Sequence, residues 1–134
     1  MCAHCGAQAV SEAVYEESRE ESFVRAIVAR PTRLTYLFIG INLGLFALTW
    51  LAGGMSMTAA NHFALVAFGA KENLLIAKEG EYWRLVTSIF LHIGFLHLFF
   101  NNYALWIIGQ EIEKLYGAAR FTALYTLTGI AGSV

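Results

Sequence analysis

Three stretches of the chain carry no Asp, Glu, Lys or Arg: Leu34 to Ala70, Leu85 to Gln110, and Phe121 to Val134. Lipid offers no partner for a charge, so apolar windows of this kind predict membrane spans where they are long enough. Leu34 to Ala52 is 19 residues, about 28 Å as helix, which matches a bilayer core. It predicts a first transmembrane helix. The second window predicts another, and a third segment starts near Ala118 or Phe121. Thr58 to Ala70 is apolar but too short to span, which suits an interfacial loop.

The charges set the orientation. Nine of the 19 charged residues precede Leu34, and Arg25, Arg30 and Arg33 flank the first span. The positive-inside rule then places the N-terminus in the cytoplasm. Lys71 to Arg84 falls outside, and Lys114 and Arg120 return inside. A long charged segment ahead of the first apolar run argues against a cleavable signal peptide. The resulting division is a cytosolic segment, 1–33, followed by a membrane region, 34–134. The expected fold is an all-α, polytopic helical membrane protein. Its third span is short, about 25 Å even from Ala118, so the chain is expected to be the front part of something longer.

Composition narrows the class. The chain has 134 residues, 57% hydrophobic and only 14% charged, with a net charge of −1. Soluble domains carry roughly 25% charged residues, and disordered chains are far less apolar. No basic surface for a polyanion is indicated, so nucleic acid is not an expected partner.

Cys2 and Cys5 form a Cys-x-x-Cys pair, half of a zinc knuckle, but the chain has no second cysteine pair. Reduced cytosolic thiols are the plainer reading. Residues 12–30 carry mixed charges with Val14, Phe23, Ile27 and Val28 on a loose helical stripe. That pattern suits a membrane-surface helix and a solvated linker equally.

The second window holds His92, His97, Asn101 and Asn102. Polar groups in lipid must be satisfied by protein or water, so they are functional candidates. His97 and Asn101 are four apart and share a helical face. His92 and His97 are five apart, about 140° around an unbroken helix. Gly94 offers a break: a re-entrant turn ending there, with a helix from about Leu96, would gather these groups around a wet cavity. Further on, Gly109, Glu113 and Gly117 repeat at four and predict close helix approach beside a carboxylate; Gly40 and Gly44 predict the same on the first helix. Residue chemistry leaves three readings of His97 and Asn101: satisfied packing groups, ligands of a haem or metal together with His92 or His62, or donors to an oxyanion.

The ordered set Trp83-Arg84, His92, His97-x-x-x-Asn101 and Gly109-x-x-x-Glu113-x-x-x-Gly117 resembles the rhomboid family of intramembrane serine proteases. The resemblance covers roughly Leu34 to Val134. It implies a rhomboid-like fold ending within the third transmembrane helix, in a multi-pass protein of the plasma (inner) membrane. It implies transmembrane protein substrates and no cofactor. It gives His97 and Asn101 the stabilisation of the tetrahedral oxyanion. His92, Trp83 and Arg84 are implied to hold the large first loop, and Glu113 is implied to be a structural acid. The family's Gly-x-Ser-Gly serine and its later histidine are absent from this sequence: Ser133 follows Gly132 but precedes Val134. Without nucleophile and base the chain alone is expected to be inactive. Two readings of other classes stand beside this one: a catalytically dead relative that binds transmembrane clients, and a small helical membrane subunit with cofactor-bound histidines.

Overall fold

The computed structural model describes residues 3–54 and 61–133, without the side chains of 3–13 and 133. Cys2, the Cys5 side chain, the start of the apolar segment at 58–60, and Val134 therefore lie outside the described residues. Every regular element among the described residues is helical, and the fold is that of a polytopic helical membrane protein. The chain divides into two compact units, Met1–Pro31 and Thr32–Val134. The first is one helix, α1 (Ala3–Val28), whose described side chains are exposed apart from a half-buried Ile27.

The second unit holds the rest. Helix α2 (Arg33–Gly53) is followed by two short helices, α3 (His62–Ala67) and α4 (Asn73–Glu79). Then come α5 (Arg84–Thr87), continued by one 3₁₀ turn to Phe90, and α6 (Phe95–Ala104). A π-helical stretch, Leu105–Gly109, links α6 to α7 (Gln110–Tyr116), and α8 (Ala118–Ser133) closes the unit. Helix α2 lies within a helical stretch long and apolar enough to cross a membrane. Arg84–Phe90 and Phe95–Tyr116 are long and apolar enough only as a pair, bent 89° at the link between them, so the second charge-free window is a broken helix pair and not one continuous span. The turn falls at Gly94, whose extended backbone (φ −171°, ψ 167°) precedes the first residue of α6.

The buried face of α2 is more polar than its lipid face. Its buried residues are Thr35, Phe38, Asn42 and Thr49, with the three polar ones seven apart. Leu37, Leu43, Leu48 and Leu51 point outward. A bilayer supplies apolar contact everywhere, so helices associate through packing and hydrogen bonds and not through greasy seams. Phe38 anchors the core. Its ring lies 4.6 Å from Tyr125, 5.6 Å from Phe121 and 5.9 Å from Phe90, joining α2 to α8 and to the turn before Gly94.

The glycines divide into two groups. A Cβ on Gly109 would sit 3.3 Å from both Thr35 Cγ2 and Phe121 Cε2, so this glycine does permit a close crossing. Gly117 instead adopts φ +81° and ends α7, with open space around it. Its role is the turn, which L side chains enter with difficulty. Gly40 and Gly44 also face open space, so the close approach expected of them does not occur among the described residues.

Candidate functional site

The site is built where α2, α6 and α8 meet the turn before Gly94. A cavity of about 350 Å³ opens there, lined by Asn42, Ser88, His92, His97, Asn101, Tyr125 and Thr128 among others. Seven of its twelve lining residues carry a polar side chain, in a unit whose exposed residues include many large hydrophobic ones. Such a cavity is roomy and polar enough to admit water.

His97 and Asn101 stand one turn apart on the open side of α6. His92 lies in the link between the helices, outside both, and is 2% exposed. Its Nδ1 meets the Phe90 carbonyl oxygen at 3.2 Å, which fits an Nδ1–H donor. The break at Gly94 brings the His92 and His97 rings to 5.2 Å between centroids. His62 lies apart from this cluster, on α3, 3.6 Å from Glu72. Among the described residues no three His, Cys or Glu side chains gather to hold a metal ion.

Beneath the cavity, Asn42 Nδ2 donates to Asn102 Oδ1 at 3.0 Å and to the Tyr125 hydroxyl at 3.5 Å. Asn42 Oδ1 and Asn102 Nδ2 are buried with no partner among the described residues. Sequence reasoning passed over Asn42. The available signal was its place in a charge-free span, seven residues from Thr35 on one side and from Thr49 on the other.

Trp83 and Arg84 sit in the loop that precedes the site. Arg84 is buried; its Nε donates to Glu81, and Nη1 donates to the carbonyls of Val66 (2.7 Å) and Ala70 (3.2 Å). The guanidinium lies 4.6 Å from the Trp83 ring centroid. Thr87 Oγ1 donates to Gly69 O at 2.6 Å. Gly69 is held at φ +96°, and a Cβ there would meet Trp83 at 2.6 Å. A flat, five-donor cation suits this place because several carbonyls at the end of α3 need donors at once.

Glu113, 3% exposed, reaches the start of α2. Its two oxygens accept from Leu34 N (3.0 Å), Thr35 N (2.8 Å) and Thr35 Oγ1 (2.8 Å). Thr32, the residue at the cap position, makes no side-chain cap bond. A carboxylate from another helix supplies what the local sequence does not.

Comparison with known proteins bears on the same region. The Rhomboid domain family matches residues 79–134. The chain is 47% identical over 119 residues to "Rhomboid protease GluP" of Bacillus subtilis, covering 89% of this chain and 22% of that protein. It is 44% identical over 70 residues to "Rhomboid-like protease 1" of Toxoplasma gondii, 52% of this chain and 24% of that protein. It is also 28% identical over 131 residues to "Inactive RHOMBOID-like protein 8" of Arabidopsis thaliana, 80% of this chain and 37% of that protein. The chain thus spans well under half the length of these relatives. No solved structure matches it.

Proposed function

The chain belongs to the rhomboid family, and on that footing we propose that it forms the oxyanion-binding part of a serine-type intramembrane endopeptidase acting on transmembrane proteins. The supporting observation is the polar cavity, with His97 and Asn101 on one face of α6 in an otherwise apolar span. Peptide hydrolysis by a serine creates a negative oxygen on the scissile carbonyl. An imidazole and a carboxamide, fixed beforehand in a poorly solvated site, stabilise that oxygen far better than water-exposed donors would. His92 supports His97 from the turn, Trp83 and Arg84 hold the first loop in place, and Glu113 fixes the first span.

None of the 134 residues supplies a Gly-x-Ser-Gly serine. The attacking hydroxyl and the histidine that takes its proton must therefore come from outside this sequence, and these residues alone do not hydrolyse a peptide. The N-terminus lies in the cytoplasm and the loop ahead of Gly94 on the opposite side, in the plasma (inner) membrane. A second reading, a scaffold that binds transmembrane clients without cutting them, draws support from the similarity to a relative named inactive.

Cleavage of a transmembrane reporter in proteoliposomes decides between the two, using the protein read from its gene through the sequence after Val134. Serine-dependent cleavage is expected. An intact reporter together with stable co-purification of the client overturns the protease reading. In the cutting enzyme, Asn101→Ala is expected to lower kcat by about tenfold or more at unchanged expression. An unaltered kcat removes Asn101 from the chemistry.

A further inference from the structure

We propose that the buried Asn42–Asn102 pair is a positioning device that sets the rotation of α6 and thereby aims His97 and Asn101 into the cavity. The inference rests on the oxyanion reading above for its catalytic consequence, but not for its geometric one.

The two asparagines of α6 are adjacent in sequence and about 100° apart around the helix. Asn101 lines the polar cavity, whereas Asn102 lines an apolar groove on the other side, beside Tyr36, Leu43 and Trp106. Asn42, which lines the cavity, donates from Nδ2 to Asn102 Oδ1, which lines the groove, at 3.0 Å. Asn42 is 2% exposed and lines the cavity itself. Among the described residues no other hydrogen bond joins a side chain of α2 to α6. Thr49 turns its hydroxyl to the carbonyls of Leu45 and Phe46 in its own helix, and Thr35 is engaged by Glu113. Leu98, 4% exposed, seats α6 against the core, while the exposed positions 99, 100 and 103 are all large and hydrophobic. The one directional bond between α2 and α6 sets how far the helix turns about that seat. Directional selection by a buried carboxamide pair is how polar groups specify register between helices.

The first test needs no proteolysis. In the 134-residue chain with Cys2→Ser and Cys5→Ser, a single Asn101→Cys is labelled by a water-soluble methanethiosulfonate in vesicles. Asn42→Leu, which keeps the forked shape of Asn with apolar ends, is expected to slow that labelling by about fivefold or more, and Asn102→Leu to do the same. The double variant is expected to be no slower than either single one. Should Asn42→Leu fail to fold, Asn102→Leu breaks the same bond from the opposite helix. Labelling that stays within about twofold of the parent in a folded variant overturns the proposal.

The second test reads turnover in the enzyme extended through its own downstream sequence. Asn42→Leu is expected to lower kcat by about tenfold with KM held within about twofold. In a background lacking both donors, His97→Ala with Asn101→Ala, the same substitution is expected to change kcat by less than about twofold. Equal losses in both backgrounds mean a general structural role and overturn the positioning role. Labelling that shifts as expected in a protein that never cuts its reporter discards the protease reading and leaves the helix-aiming pair intact.

Discussion

Glu113 illustrates how much one side chain can do in lipid. It carries three hydrogen bonds to a helix start that has no cap of its own. Removing it leaves two amides and a hydroxyl buried, each at about 1 kcal/mol or more. Glu113→Ala is therefore expected to lower unfolding free energy in mixed micelles by about 3 kcal/mol, and Glu113→Gln by about half that, since one carbonyl oxygen remains. A loss below ~1 kcal/mol for the alanine would show the contact to be incidental. At this scale the sequence was only partly legible. His92, His97 and Asn101 stand out because polarity in an apolar window is costly and must be matched. Asn42 and Thr35 do not, because a single Asn or Thr in a span signals nothing until its partner on another helix is known. The partners here lie 60 and 78 residues away.

Among the elements, the helices α2 and α6 were readable from charge-free length, and the break at Gly94 from the mismatch between histidine spacing and the helical period. The π-helical stretch Leu105–Gly109 was not, since its sequence, LWIIG, is an unremarkable apolar run. Its effect is to reset the register between the cavity-facing turn of α6 and the Gly109–Glu113 face of α7. Such insertions are frequent at functional sites. Glycine spacing misled for the same reason as Asn42: four-residue intervals mark a possible contact, and only packing decides whether a neighbour arrives. Gly109→Val is expected to destabilise the fold by about 2 kcal/mol, since even its Cβ would press on Leu105, Phe121 and Thr35. Gly40→Ala, facing open space, is expected to stay within about 0.5 kcal/mol of the parent. Parallel denaturation curves of the two variants check the contrast. Comparable losses would mean that Gly40 also meets a neighbour.

For the molecule as a whole, the arginines before α2 and the lysine and arginine after the second span predict one orientation. A reporter active only outside the cytoplasm is expected to be silent when fused before Arg33 and active when inserted after Gly80, in the link between α4 and α5. The opposite pattern would reverse every side assigned to the cavity. One earlier contact also bears on how the protein is made. The amides of Leu34 and Thr35 emerge from the ribosome long before Glu113, 78 residues later at the Thr35 bond. At roughly 5–20 residues per second that interval is about 4–16 s. During it the newborn α2 has a bare amino end, which water or lipid phosphate at the membrane rim must serve. Biogenesis is thus split into insertion and a later clasp, and quality-control proteases have a window of seconds in which to inspect an unfastened helix.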